Sequence, residues 1–245
     1  MEEQKMYKTS ESLVKEDSSF ITKVSLYFGL GILLTALITM GLPYLYQSFG
    51  WLSITSEGVS DVYNFDMMYY FFIGSAVLLL IEVIVMQFTV IRHGGLTLFP
   101  YILYCLTMGV FLSFICMWVS WYLLGLSFGA TSIVFITMGL VGFFSKGRLN
   151  VWAQIAIATL WGLLILSIIN WVIGSETLYW LISFGLLFVI MIFTAVDFQR
   201  VKIYQDQGAT SNKLALLCAF NLYYDFTYIF IQILKFVVVI YSRRR

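Results

Sequence analysis

Charged residues are scarce in this chain of 245 residues. Only 11% of the positions are Asp, Glu, Lys or Arg, whereas 61% are hydrophobic and the mean hydropathy is +0.91. This composition excludes an ordinary soluble domain and indicates an integral membrane protein. Hydrophobic segments and short loops account for nearly all of the sequence, which leaves no room for a separate soluble catalytic domain. We therefore expect a single membrane domain that acts within the bilayer.

Histidine and cysteine are also scarce, and this argues against an enzyme. His93 is the only histidine, and the sequence contains neither an HExxH pattern nor a GxSxG pattern, so neither a zinc protease nor a serine hydrolase is indicated. The cysteines Cys105, Cys116 and Cys218 lie within apolar runs and are expected to be packing residues. We expect no cofactor.

The net charge of +1 is close to zero. The basic clusters flank hydrophobic segments, which makes the lipid bilayer the expected partner and excludes nucleic acid. The first residues mix both signs of charge and lack the pattern of a cleavable signal peptide. We expect residues 1–22 to be a cytosolic segment, 23–241 a membrane domain and 242–245 a basic tail.

Seven hydrophobic passages are each long enough to cross a bilayer as a helix. The fold class expected is all-α, a polytopic membrane protein with seven transmembrane helices. Residues 51–66 between the first two passages are predicted to form a polar loop. The predicted spans are 24–46, 68–91, 96–118, 124–145, 151–173, 178–197 and 214–241.

The distribution of Lys and Arg predicts the orientation. If the spans alternate, the basic residues before the last span all fall on one side, which places the amino terminus in the cytosol. The expected location is the cell (inner) membrane. Full crossing by the last passage puts residues 243–245, all Arg, on the outer side, against the usual bias. The alternative is that the last passage enters the membrane and returns, but we favour the full crossing. The basic residues concerned are Lys5, Lys8, Lys15, Lys23, Arg92, Lys146, Arg148, Arg200, Lys202 and Lys213.

The last passage carries a stripe of polar side chains in an otherwise apolar run. Asn221, Asp225, Tyr228, Gln232 and Lys235 are separated by steps of four and three residues, which places them on one face of a helix. An ionised side chain facing lipid is costly, so such residues normally face a bundle interior or a water-filled cavity. We therefore predict that the seventh helix is central and that the other helices surround it.

Three acidic residues lie within predicted spans: Glu82, Asp197 and Asp225. Asp197 lies close to the cytosolic end of the sixth span, whereas Asp225 lies about 17 Å along the seventh helix. Either a sixth helix that runs one turn further or a seventh helix that starts deeper in the cytosol would bring the two carboxyl groups nearly to one level. Two adjacent carboxylates in a low dielectric tend to share a proton, and when both are ionised they attract a hard cation such as Ca²⁺. The pair is our candidate proton and cation sensor.

Alternative roles for the same acids stay open. Asp197 is alternatively an interfacial residue paired with Arg200, and Asp225 a structural residue. Glu82 is alternatively a protonated acid hydrogen-bonded between helices. Arg92 and His93 are candidates to pair with the sensor, although contact with lipid headgroups is the default role of His93.

Two carboxy-terminal segments carry a family likeness. The first is TAVDFQRVK at 194–202, and the second is LALLCAFNLYYDFTYIFIQILKF at 214–236. Together with IEVIVMQFTVIRH at 81–93, they resemble the Bax inhibitor-1 (transmembrane Bax inhibitor motif) family, in its bacterial form. The sequence departs from the family pattern at Val196, where Tyr is usual, and at Tyr228, where Asn is usual.

The resemblance implies six helices around a seventh and a pH-sensitive Ca²⁺ leak. In that picture Asp197 and Asp225 form a di-aspartyl sensor, and Arg92 or His93 latches it, with Glu82, Arg200, Asn221 and Gln232 as supporting polar groups. The alternative function is a non-conducting protein that binds and modulates another membrane complex, such as a quality-control protease. A proton-coupled transporter is a third possibility, and it would require internal repeats or broken helices.

Overall fold

The computed structural model describes residues 2–55, 58–93, 96–145 and 149–243, and its side chains over 20–53, 62–86, 88–90, 96–145, 149 and 151–243. Within these residues there are seven α-helices, and each is long and apolar enough to cross a membrane. The prediction of an all-α polytopic membrane protein is confirmed. The helices are α1 (Glu2–Ser48), α2 (Phe65–His93), α3 (Leu98–Cys116), α4 (Trp121–Phe144), α5 (Asn150–Ile173), α6 (Glu176–Asp206) and α7 (Asn212–Ser242).

Two helices extend beyond the predicted hydrophobic spans. Helix α1 begins at Glu2, because its polar first part is rich in Glu, Lys and Ser and contains neither Gly nor Pro. Helix α6 continues to Asp206 instead of ending near Asp197. It stops where Gly208 adopts a positive φ of 69°, a conformation that glycine supplies at helix ends.

The predicted polar loop at 51–66 is wrong in part, because it contains a β-hairpin. Strands β1 (Leu52–Thr55) and β2 (Gly58–Val62) pair antiparallel, with Leu52 opposite Val62. Leu52 is buried in a small apolar cluster with residues of α1, α2 and the end of α3, namely Tyr46, Met68 and Met117. Burial of that side chain gives the hairpin an apolar anchor that a solvated loop would lack.

The chain divides into two compact units. The first comprises Met1–Leu124 and Gln205–Tyr223, and the second comprises Gly125–Tyr204 and Tyr224–Arg245. Helix α7 contributes to both, with Tyr223 fully buried in the first unit and Ile229 fully buried in the second. It is one unbroken helix of 31 residues, so the described residues show no entry and return of the last passage.

Glycine allows close helix packing in each unit. In the first, a Cβ added at Gly109 of α3 would lie 2.6 Å from the Cβ of Ile38 on α1. In the second, a Cβ at Gly142 of α4 would lie 2.8 Å from the carbonyl carbon of Ala195 on α6. Small residues of this kind let helix backbones approach in membrane proteins. The contact at Gly142 fixes the part of α6 that carries Asp197.

Candidate functional site

Helices α6 and α7 bring two acidic side chains together in the second unit. Asp225 of α7 is only 3% exposed, and the side chain of Asp197 on α6 is 13% exposed. The two carboxyl groups interact electrostatically. The extension of α6 beyond the predicted span accounts for this placement, because it moves Asp197 away from a helix end and into the packed part of α6.

Thr194 connects the two helices at the same place. Its hydroxyl is fully buried, donates to the carbonyl oxygen of Ile190 at 2.9 Å and is hydrogen-bonded to the carboxyl group of Asp225. A hydroxyl group carries one hydrogen and two lone pairs. If Thr194 gives its hydrogen to Ile190, the hydrogen in the contact with Asp225 must come from a protonated carboxyl; if Asp225 is ionised, Thr194 must turn its hydrogen toward it.

The second oxygen of Asp225 has no protein partner. Among the described side chains, Asp225 Oδ2 is one of three buried polar atoms without a hydrogen bond. A buried carboxyl oxygen without a partner is unfavourable by about 1–3 kcal/mol, and by more if it is charged. Binding of a proton at this oxygen would remove that penalty.

Asp197 has a cationic partner from its own helix. Arg200 Nη1 lies 2.9 Å from Asp197 Oδ1, which is the local pair that the sequence allowed. The Arg200 side chain is 50% exposed, and an ion pair this open to its surroundings contributes little to stability. Arg200 also interacts electrostatically with Asp225, so one guanidinium group interacts with both acids. The side chains of Arg92 and His93 lie outside the described residues, and their role as a latch stays a prediction.

Aromatic rings pack between helices at the positions that follow the two acids. The Phe135 ring of α4 lies edge-on to Phe198 and Phe226, with centroid distances of 5.2 and 5.3 Å. These two rings directly follow Asp197 and Asp225 in the sequence. The side chain of Gln199, 8% exposed, accepts a hydrogen bond from the Leu149 amide at 3.1 Å. The neighbours of both acids are therefore held in place by contacts with other helices.

The rest of the polar stripe continues along α7. Gln232 is 6% exposed and donates to the Tyr228 hydroxyl at 3.4 Å. Lys235 Nζ donates to Ser183 Oγ at 2.8 Å and lies 5.0 Å from the centre of the Tyr179 ring. A hydroxyl group and an aromatic face therefore stabilise this cation. Asn221, the remaining stripe residue, is half-buried in the first unit.

The whole-chain comparison decides the family. The sequence profile of the family described as inhibitor of apoptosis-promoting Bax1 matches residues 17–242, which includes all seven apolar spans. The chain belongs to the Bax inhibitor-1 family.

Relatives in this Bax inhibitor-1 family come from several bacteria. The inner membrane protein YbhL of Escherichia coli K12 is 27% identical over 96% of this chain and 97% of its own length. An uncharacterized membrane protein of Streptococcus pyogenes is 26% identical over 89% of this chain and 91% of its own length. An uncharacterized protein of Borreliella burgdorferi is 31% identical over 56% of this chain and 60% of its own length. The similarity to YbhL, which spans nearly the whole chain, covers the helices that carry the acid pair.

Glu82 is the third of the acidic residues that lie within the predicted spans of this Bax inhibitor-1 family protein, and it belongs to the first unit. It is 6% exposed and accepts a hydrogen bond from Thr107 Oγ1 at 2.8 Å, which joins α2 to α3. The hydrogen bond between helices that we considered for Glu82 is therefore present. The partner itself, Thr107, was not apparent from the sequence.

Sequence reasoning also missed Thr194. It lies three residues before Asp197, so the two share a helix face, and that spacing is the signal that could have revealed it.

The carboxylates of Asp197 and Asp225 together offer at most four oxygens, fewer than the six to eight that Ca²⁺ takes. Within the described residues no group of three or more His, Cys, Asp or Glu side chains is present. The two carboxyl groups alone therefore cannot complete the coordination of a resident Ca²⁺ ion.

Proposed function

We propose that this Bax inhibitor-1 family protein is a cation leak for Ca²⁺, gated by protonation of Asp197 and Asp225. The observation that carries the proposal is the buried pair itself: two carboxyl groups from α6 and α7 that interact electrostatically, one with an oxygen that has no partner. In the interior of a membrane domain such groups usually mark an ion path or a proton relay.

The proposed switch has two states that differ by one proton. When both acids are ionised, their charges repel, and a cation or Arg200 compensates them. When water delivers a proton to Asp225, the repulsion ends, Asp225 donates to Thr194, and the pair no longer attracts a cation. The Thr194 hydroxyl follows the change because its single hydrogen serves either Ile190 or Asp225.

The pairing of Asp197 with Arg200 transmits the change toward the end of α6. In the doubly ionised state, Arg200 is drawn to the charge of two carboxylates, whereas in the singly protonated state only Asp197 holds it. Because the Arg200 side chain is half exposed, it can leave the pair at little energetic cost. We propose that this movement changes the access of cations to the acids.

Flux measurements on the reconstituted protein test the proposal. The full chain is placed in liposomes containing a Ca²⁺-sensitive dye, and Ca²⁺ entry is followed across buffers from mildly acidic to mildly alkaline. We expect pH-dependent entry for the unchanged protein, and pH-independent entry for Asp197→Asn and Asp225→Asn, because an amide is isosteric but does not titrate. Glu176→Gln is the matched control, since it changes an exposed acid at the other end of α6.

Two results would count against this function. If Asp197→Asn and Asp225→Asn conduct Ca²⁺ with the unchanged pH dependence, the pair is not the sensor. If the unchanged protein passes no cation at any pH but retains a membrane complex after detergent extraction, the alternative of a non-conducting modulator is favoured instead.

A further inference from the structure

Lys235 is a cation in the carboxy-terminal half of α7, and no acid among the described residues compensates its charge. Its Nζ donates to Ser183 Oγ at 2.8 Å and lies 5.0 and 5.7 Å from the centres of the Tyr179 and Phe236 rings. Two ion pairs occur among the described residues, and neither includes Lys235. A hydroxyl group and aromatic faces stabilise an ammonium group without removing its net charge.

Lys235 lies on the helix faces that also carry the acid pair. On α7, Lys235 follows Asp225 by ten residues, which is about three helical turns. On α6, its partner Ser183 precedes Thr194 by eleven residues, again about three turns, and Thr194 is the residue that contacts Asp225. The interface between α6 and α7 in the second unit therefore holds the acidic groups at one level and a positive group at another.

The distance between Lys235 and Asp225 is too long for an ion pair but short enough for an electrostatic effect. Ten residues of helix separate the two by about 15 Å along the axis, whereas an ion pair requires a distance of about 4 Å or less. Between them on the same face, the Gln232 amide donates to the Tyr228 hydroxyl, and Gln232 is buried. Because this stretch is shielded from bulk solvent, salt screens the charge of Lys235 less than it would at the protein surface.

We propose that the positive charge of Lys235 restricts the cation leak, and that it restricts divalent cations more strongly than monovalent ones. The inference rests on the proposed function, since it concerns cations that reach Asp197 and Asp225. Coulomb energy is proportional to the charge of the ion, so Lys235 repels Ca²⁺ at the acid pair twice as strongly as it repels K⁺. Lys235 thereby prevents the two acids from retaining a divalent cation and keeps the leak slow.

Parallel measurements of Ca²⁺ and K⁺ entry into liposomes test this role of Lys235. The unchanged full chain and Lys235→Gln are reconstituted with dyes for each ion, and entry is followed at one ionic strength and at the pH at which the unchanged protein conducts best. At about 15 Å and an effective dielectric constant of about 20, loss of the charge should raise Ca²⁺ entry about fortyfold and K⁺ entry about sixfold. The ratio of Ca²⁺ to K⁺ entry should therefore rise about sixfold.

Further variants separate the charge of Lys235 from its packing. Lys235→Met, a second neutral variant, should raise the ratio as Lys235→Gln does, whereas Lys235→Arg keeps the charge and should leave the ratio unchanged. Ser183→Ala removes the hydroxyl partner but not the charge, so it should also leave the ratio unchanged. Arg243→Gln is the control, because it removes a positive charge from the same helix, but from a side chain that is 66% exposed and paired with Glu176. Melting of each variant in detergent shows that it is folded.

Three outcomes would overturn the inference. An unchanged ratio of Ca²⁺ to K⁺ entry in Lys235→Gln and Lys235→Met, while the unchanged protein conducts, would mean that the charge does not act on the permeating ions. An equal rise of the ratio in Arg243→Gln would indicate a general effect of surface charge. An equal rise in Lys235→Arg would indicate an effect of packing. Absence of cation entry in the unchanged protein and in every variant would instead reject the proposed function itself, so the two failures are distinguishable.

Discussion

Replacing Gly142 by alanine tests whether the acid pair depends on the close approach of α4 and α6. The added Cβ would lie 2.8 Å from the carbonyl carbon of Ala195 and nearer still to its oxygen, whereas ordinary contacts begin at 3.4 Å. The helices must therefore separate by at least about half an ångström, because backbone atoms cannot rotate out of the way. Ala195 lies between Thr194 and Asp197, so the separation displaces the groups that contact Asp225.

We expect two effects of Gly142→Ala. Overpacking of a tight contact is unfavourable by about 1–3 kcal/mol, which lowers the melting temperature of the detergent-purified protein. Displacement of the acid pair weakens the pH dependence of Ca²⁺ entry in liposomes, since functional geometry that is wrong by about 1 Å can reduce activity by about a hundredfold. The melting temperature and the flux are measured on the same preparation.

Gly129→Ala is the matched control for this change. Gly129 lies on the same helix, and a Cβ added there meets no atom within 4 Å. Alanine also favours the helix by about 1 kcal/mol relative to glycine, so the control should be unchanged or slightly more stable. If Gly142→Ala melts and conducts like Gly129→Ala, the packing of α4 on α6 does not position the acid pair and our reasoning is refuted.

Three further substitutions and one topology measurement follow from the structure. Tyr223→Phe removes the hydroxyl that lies 2.6 Å from the Thr35 hydroxyl and should lower the free energy of unfolding by about 0.5–1.5 kcal/mol, the net contribution of one hydrogen bond, because Thr35 keeps its bond to the Cys105 carbonyl oxygen. Arg200→Gln breaks the ion pair in which Arg200 is half exposed and Asp197 only 13% exposed, and it should alter the pH profile of Ca²⁺ entry because Asp197 loses its cationic partner. Thr194→Val removes the hydroxyl beside Asp225 and should shift the midpoint of that profile, whereas Thr194→Ser, which keeps the hydroxyl, should not. A protease-cleavable tag after the last residue should be cleaved by protease added to spheroplasts, whose inner membrane is accessible from outside, if α7 crosses fully and the amino terminus is cytosolic.

The controls for these variants come from exposed positions. Tyr122→Phe, at a tyrosine that is 71% exposed, should leave the unfolding free energy unchanged, and an equal loss in both tyrosine variants would contradict the assigned role of Tyr223. Lys202→Gln is the comparison for Arg200→Gln, because Lys202 donates to the Phe143 carbonyl instead of pairing with the acids. An identical flux profile in Arg200→Gln and the unchanged protein would exclude Arg200 from the switch. Cleavage of the tag only after cell lysis would contradict the predicted orientation.

The seven membrane helices could be predicted from the sequence because hydropathy is a sum over neighbouring residues. The α4 and α5 bounds differ by only a few residues from the predicted spans, since each is a continuous apolar run between polar or glycine-containing turns. The polar stripe of α7 could also be predicted from the sequence, because the face of a helix on which a residue lies depends only on its spacing from the others. The end of α6 was misplaced, because a polar segment without Gly or Pro continues the helix to Asp206, two residues before Gly208.

The sequence by itself determined that Asp225 and Glu82 are acids within apolar helices. Only the tertiary structure decided their partners, Thr194 for Asp225 and Thr107 for Glu82. A hydrogen bond between helices depends on how each helix is rotated and how closely the backbones approach. Those quantities are set by side-chain packing between segments far apart in the chain, as at Gly142 and Ala195, and no local pattern of residues encodes them.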